Sequence, residues 1–236
     1  MKLSVLIPVY NEERTVEEVV RRVKAVPIAK EIILVDDGSQ DQSPEVLARL
    51  RGESERAADP SNQLKVIIKS ANRGKGAAIR EALGYATGDI VIIQDADLEY
   101  DPRDYPALMA PIENGLADVV YGTRFAGGGA HRVLFFWHSL GNRLLTLVSN
   151  FLTDLNLSDM EVGYKVFRAQ VLQGIDIKSN RFGFDPEITM KLAKRGWRFY
   201  EVPISYHGRT YEEGKKITWK EGIAALYCMI RFRLAD

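Results

Sequence analysis

The chain has 236 residues, 46% of them hydrophobic and 27% charged, enough to bury the core of one large α/β domain. Thirty-two basic residues balance thirty-two acidic ones, so net charge gives no reason to expect nucleic acid or another polyanion as partner. The single cysteine, Cys228, excludes an internal disulfide and a zinc-ligand set, and suits a reducing compartment.

Leu3 to Val9 reads as a buried strand. Asn11 is expected to cap a helix with Glu12 and Glu13 in its first turn and Val16, Val19, Val20 and Val23 at helical spacing, ending at Pro27. Glu31 to Val35 makes a second strand, running into Asp36-Asp37-Gly38-Ser39, and a helix is predicted from Ser43 to Arg51. Arg51 to Asn62 reads as a charged loop. A strand at Leu64 to Ile68, a helix at Gly76 to Ala86, a strand at Ile90 to Gln94, a helix near Asp104 to Ile112 and a strand at Asp118 to Tyr121 follow. Such alternation predicts a mostly parallel sheet with crossover helices, and ligands then bind beyond the carboxyl ends of the strands. Tyr10-Asn11-Glu12, Asp36-Asp37 and Asp95-Ala96-Asp97 all fall there.

The second half is less regular. Gly127 to Gly129 reads as a hinge or loop, Val133 to Leu152 as an apolar-rich helix, Glu161 to Arg168 as an alternating strand, Pro186 to Lys194 as a helix and Arg198 to Ile204 as a strand. There is no internal repeat, and one domain spanning 1–236 is the simplest partition. No leader pattern opens the chain and no stretch approaches 18 apolar residues, so the expected location is cytoplasmic without a bilayer-spanning segment.

Asp95 and Asp97 emerge from the apolar run Ile90 to Ile93, and a period of two puts both carboxylates on one side of the backbone. Like charges so close are costly unless a cation lies between them, and hard divalent ions such as Mg²⁺ or Mn²⁺ prefer such oxygens. A solvated acidic turn is the alternative for this tripeptide alone. Gly74-Lys75-Gly76 lacks the third glycine of a dinucleotide fingerprint and the Ser/Thr spacing of a P-loop, and Lys75 reads as a solvated surface residue.

Taken in order, Ile7-Pro8-Val9-Tyr10-Asn11-Glu12, Val35-Asp36-Asp37-Gly38-Ser39, Asn72-Arg73-Gly74-Lys75-Gly76 and Asp95-Ala96-Asp97 resemble family 2 glycosyltransferases, and more narrowly the polyprenyl-phosphate (dolichyl-phosphate) mannose and glucose synthases. The likeness runs from about Ser4 to Arg233. It implies a GT-A fold, an α/β architecture with a Rossmann-like, mostly parallel sheet flanked by helices and with C-terminal amphipathic interface helices. It also implies an inverting transfer of a hexose from a GDP- or UDP-sugar to a polyprenyl phosphate with Mg²⁺ or Mn²⁺. Residues 1–122 would form the nucleotide-sugar half and 123–236 the acceptor half.

By the same resemblance Pro8, Tyr10 and Glu12 receive base and ribose, Asp37 with Asp36 beside it reads the base edge, and Ala96 borders the substrate. Asp95 and Asp97 hold the metal; Glu99 stands where the mannose synthases carry a metal-touching glutamine. Arg124 and Arg132 match arginines that hold the acceptor phosphate, a task suited to guanidinium. Arg209 with Lys215 and Lys216 resembles a basic loop closing over the donor diphosphate.

A phosphate monoester is largely dianionic at pH 7 and needs no general base. Asp159, Glu161 and Glu187 then read as organisers of acceptor and sugar; for an alcohol acceptor Asp159 is the first candidate base. Apolar stretches at Val133 to Leu152 and Trp219 to Leu234 either lie on a membrane surface or pack on the sheet. A membrane-spanning partner protein is compatible with this reading. Two rivals stay open: transfer to a soluble or polysaccharide alcohol, and nucleotide-sugar binding without turnover.

Overall fold

The structure, a computed structural model, describes residues 1–57, 59–126, 135–209 and 219–235. Its strands are β1 (Leu3–Val9), β2 (Lys30–Asp36), β3 (Asn62–Ile68), β4 (Ile90–Ile93), β5 (Val119–Thr123), β6 (Lys165–Arg168) and β7 (Phe199–Pro203). Its helices are α1 (Val16–Ala25), α2 (Ser43–Ala57), α3 (Lys75–Leu83), α4 (Tyr105–Glu113), α5 (Phe136–Thr153), α6 (Ala169–Leu172), α7 (Phe184–Lys194) and α8 (Trp219–Leu234). The strands form one sheet in the order β3-β2-β1-β4-β6-β5-β7. Neighbours are parallel except around β6, which runs antiparallel to β4 and β5. β2 is buried throughout, as are all four residues of β4, because helices cover both faces; their sequences are accordingly continuous aliphatic runs.

Several local expectations change. Asn11 does not cap α1: its φ is +52°, its Oδ1 accepts from Gln40 N, and the helix begins five residues later. The charged stretch after Arg51 continues α2 to Ala57, since Glu, Arg and Ala are strong helix formers and no proline intervenes, so the helix carries through Gly52. Arg49 fastens this helix to Glu17 of α1 at 2.7 Å. Only Lys165–Arg168 of the predicted strand from Glu161 is strand. Ahead of it, Gly163 N donates to Tyr100 Oη at 2.8 Å instead of joining a ladder.

The Gly74-Lys75-Gly76 turn does not present a free helix N-terminus. Ala77 N donates to Asn180 O at 3.0 Å, and Arg80 reaches Ile177 O and Asn180 Oδ1. A side chain at Gly74 or Gly76 would collide with the carbonyl of Asn180 or Ser179, and Gly74 has φ +103°. The start of α3 is therefore a seam joining the two halves of the chain.

Helix α5 is inside out for a helix of a soluble protein. Its buried residues are Thr146 and Ser149, whereas Trp137, Leu147 and Phe151 are 77%, 66% and 87% exposed. α8 packs beside it and adds exposed Ile223, Tyr227, Ile230 and Leu234. Among the described residues no helix is long and apolar enough to cross a membrane.

At the end of β4, wholly buried Gln94 accepts from both Tyr105 Oη and Tyr164 Oη at 2.7 Å and donates to Asp95 O at 2.9 Å. Gln94→Leu strands two buried hydroxyls, and urea unfolding should show a loss of about 2–5 kcal/mol. A loss below about 1 kcal/mol would mean that the hydroxyls find other partners.

Candidate active site

The carboxyl ends of β1, β2 and β4 bring the predicted acids to one edge of the sheet, with different fates. Asp36 is consumed by its own turn: Oδ2 accepts from Gly38 N and Ser39 N, and Oδ1 from Ser39 Oγ at 2.5 Å. Asp37 is buried, with Oδ1 on Lys69 Nζ and Oδ2 on Arg73 N and Gly74 N. Each oxygen of this pair already accepts a hydrogen bond within the protein, and Asp37 thereby shapes the loop at residues 71–74. Pro8 and Tyr10 lie at the exit of β1, both partly covered. Ala96 is buried between the β4 acids.

Asp95 and Asp97 remain partly open, their side chains 18% and 17% exposed. Asp95 Oδ1 pairs with Lys75 Nζ at 2.6 Å. Lys75 is thus a site residue, contrary to its reading as a surface lysine; the carboxylates of Asp95, Asp185 and Asp97 hold its ammonium charged against burial. Asp97 Oδ2 accepts from Arg209 Nη2 at 3.0 Å, and the same guanidinium lies 3.4 Å from Glu12. Burial, followed by the neighbouring charges of Asp95 and Glu99, pushes Asp97 up to about 7, and Arg209 offsets only part of that.

This donor set fits a hard divalent cation: two adjacent, accessible carboxylates whose charge the internal cations do not fully neutralise. Among the described residues no group of three or more His, Cys, Asp or Glu side chains is arranged to hold a metal. A cation held by Asp95 and Asp97 would complete its shell with phosphate and water oxygens. Glu99, expected as a third ligand, is committed elsewhere: Oε2 accepts from Tyr206 Oη at 2.9 Å and Oε1 from Arg209 N at 2.7 Å.

A second charged device lies at the end of β5. Asp159 is wholly buried and accepts from Arg124 Nε at 2.6 Å, Arg124 Nη2 at 2.7 Å, Arg124 N at 3.2 Å and Asn142 Nδ2 at 3.0 Å. Four donors on two oxygens fill the acceptor sites of Asp159 in this structure, so it stands here as the partner of Arg124 and Asn142. Glu201 of β7 takes Ser158 N at 2.8 Å and Asp159 N at 3.2 Å, fixing this loop from below. Arg124 is stacked near Tyr206, 5.1 Å from its ring centre.

Glu187 is displaced from the site altogether. It is wholly buried in α7, accepting from Lys178 N and Ser179 N and pairing with Lys191, so it holds the loop that seals α3. Arg132, Lys215 and Lys216 lie outside the described residues. Sequence reading missed Lys75, Tyr206 and Glu201. For Glu201 the signal was its place within a predicted strand whose other end enters the site.

A mostly parallel sheet, one antiparallel strand between its halves and paired acids beyond the central strand define a GT-A type of α/β protein. The sequence model described as Glycosyl transferase family 2 matches residues 4–175, and the chain belongs to that family. It is 29% identical to a dolichol-phosphate mannosyltransferase of Pyrococcus furiosus over 223 residues, covering 91% of this chain and 59% of that protein. An undecaprenyl-phosphate mannosyltransferase of Micrococcus luteus is 28% identical over 229 residues, covering 91% and 87%. An undecaprenyl-phosphate 4-deoxy-4-formamido-L-arabinose transferase of Enterobacter sp. strain 638 is 29% identical, covering 91% and 62%. The chain thus spans about three fifths of the length of the first and third of these relatives. In structure it matches a glucosyl-3-phosphoglycerate synthase of Mycobacterium tuberculosis in complex with UDP, with TM-score 0.74, 18% identity and coverage of 100% of this chain and 81% of that one. Other complexes of that synthase contain Mn²⁺ or Mg²⁺ with UDP.

Lys75→Met removes a positive charge from Asp95. Titration with Mn²⁺ followed by electron paramagnetic resonance should show affinity without nucleotide rising roughly tenfold or more. Unchanged affinity would exclude Asp95 as a ligand.

Proposed function

We propose that this family 2 glycosyltransferase is an inverting hexosyltransferase that moves mannose or glucose from a GDP- or UDP-sugar to a polyprenyl phosphate at a membrane surface. The observation that carries the reading is the saturation of Asp159 by Arg124 and Asn142: the site offers an arginine where a base would be needed for an alcohol. A phosphate monoester supplies its own anionic nucleophile, and a guanidinium held by a buried carboxylate is suited to orient it. The names of the similar polyprenyl-phosphate transferases favour the same acceptor class.

In the proposed reaction a phosphate oxygen attacks the anomeric carbon from the face opposite the nucleotide. A new carbon–oxygen bond forms as the bond to the diphosphate oxygen breaks, which inverts the centre. Asp95 and Asp97 would hold Mg²⁺ or Mn²⁺, whose charge stabilises a leaving nucleoside diphosphate. Arg124 orients the acceptor, and Asp159 keeps Arg124 extended and charged. Pro8, Tyr10 and Glu12 border the nucleotide, and Arg209 stands ready at its diphosphate. Residues 1–122 serve chiefly the donor and 123–236 chiefly the acceptor, with Arg209 reaching back to the donor side.

The exposed apolar faces of α5 and α8 favour a lipid acceptor over a soluble one. Such a surface lies in the headgroup region of a bilayer without crossing it, and leaves room for a membrane-spanning partner.

Labelled GDP-mannose or UDP-glucose, incubated with short-chain prenyl phosphate and Mn²⁺, should give product extractable into organic solvent. Asp97→Ala should lower kcat at least about a thousandfold with the fold intact. Label found only in water-soluble product would refute the lipid acceptor. Undiminished turnover of Asp97→Ala would refute the metal role.

Leu147→Glu combined with Phe151→Glu should cut co-sedimentation with anionic vesicles by about tenfold or more, since each buried side chain contributes about 1.5–3 kcal/mol. Equal sedimentation of variant and wild type would exclude this face from the membrane.

A further inference from the structure

The segment from Asp159 to Gly163 forms a wall between the two charged devices. At one end Asp159 holds Arg124. At the other, Gly163 lies so close to the Asp95 carboxylate and the Tyr100 ring that any side chain there would collide with them. Met160 and Val162 are wholly buried in the core. Glu161, midway along, is only partly covered, yet its Oε1 is buried and meets no hydrogen-bond partner among the described residues.

The cations that act on Glu161, Lys165 and Arg124, are committed to other groups, as is Lys75 of the same site. Lys165 Nζ is on Asp185 Oδ1 and Val162 O, both at 2.5 Å; Arg124 is on Asp159, and Lys75 on Asp95. Burial and the charge of Asp185 push Glu161 up to about 7, and Lys165 and Arg124 pull it back only in part. A buried carboxylate oxygen with no donor is destabilising, and such a group is retained where a ligand supplies the missing bond.

We propose that Glu161 receives hydroxyl groups of the transferred sugar and is a specificity-determining residue of the site. This rests on the glycosyltransferase reading. In a direct displacement the anomeric carbon lies between the leaving diphosphate, at Asp95 and Asp97, and the attacking oxygen, at Arg124. The sugar ring then passes along the wall that Glu161 occupies. The two oxygens of one carboxylate accept from hydroxyls on adjacent ring carbons. A sugar without those hydroxyls leaves the buried acceptor unpaired and is rejected.

Calorimetric titration of the full chain with Mn²⁺ tests this, comparing GDP-mannose and UDP-glucose with GDP and UDP. Glu161→Ala should weaken the nucleotide sugar that wild type prefers by roughly ten- to a hundredfold and leave the matching diphosphate unchanged. The near-isosteric Glu161→Gln should lose less, because its amide oxygen still accepts, and it serves alone if the alanine variant fails to fold. Parallel weakening of sugar nucleotide and diphosphate, or no change in either, would overturn the assignment. Binding of the diphosphates but of neither sugar nucleotide by wild type would overturn the transferase reading itself, and this inference with it.

Discussion

Repulsion among the acids beyond β4 is the constraint that organises this molecule. Asp95, Asp97 and Glu99 leave the sheet within five residues, in a setting covered enough that their charges act strongly on one another. The fold answers with cations drawn from distant parts of the chain. Lys75 comes from the first turn of α3, and Arg209 from beyond β7. Neither pair is an exposed bridge of negligible worth; the partners are 17–19% exposed, where breaking a pair leaves an uncompensated charge. The arrangement holds the acids apart yet leaves them under-neutralised, a state that a divalent ion and a diphosphate are suited to complete.

The same logic recurs beyond β5 with the opposite outcome. There Asp159 is fully satisfied, and its partner, partly exposed, is a cation, Arg124. Glu201 fixes the loop through backbone N–H groups, so Asp159 cannot follow Arg124 outward. One end of the site is poised for a cation and the other for an anion. The antiparallel strand β6 separates β4 from β5 and thereby sets the two ends side by side at one sheet edge.

The strands of the first half and the Asp95/Asp97 pair were legible because period-two alternation and uninterrupted aliphatic runs are local properties. What escaped depends on contacts far along the chain. Arg209 and Asp97 are 112 residues apart, and no local pattern brings them together. Lys75 looked like a surface residue because glycines on both sides suggest an open turn; those glycines instead permit the loop at 179–181 to press against α3. Glu187 misled for a related reason. Every residue from Phe184 to Leu192 is buried, so α7 has no polar face, and its acids serve neighbouring backbone and lysine groups instead of a ligand. Asp159 was legible as a candidate, but its partners depend on how many donors reach it, and sequence does not count donors.

Helix α5 shows how a periodic pattern leaves its direction open. Its apolar stripe was equally compatible with packing on the sheet or facing outward, because amphipathicity fixes that two faces differ but not which neighbour each meets. The structure turns Thr146 and Ser149 inward: Met160 N donates to Thr146 Oγ1, and Thr153 Oγ1 donates to Ser149 O. Small polar residues allow α5 to lie close against the Asp159 loop, where Asn142 from the same helix completes the Asp159 hydrogen-bond set. The large apolar side chains are left outside as a consequence. A helix that touches Asp159, the partner of Arg124, on one face and presents Trp137, Leu147 and Phe151 on the other joins two surfaces across its own width. A lipid-borne phosphate lying at that apolar face would need to travel only about 10 Å, the width of a helix, to meet Arg124.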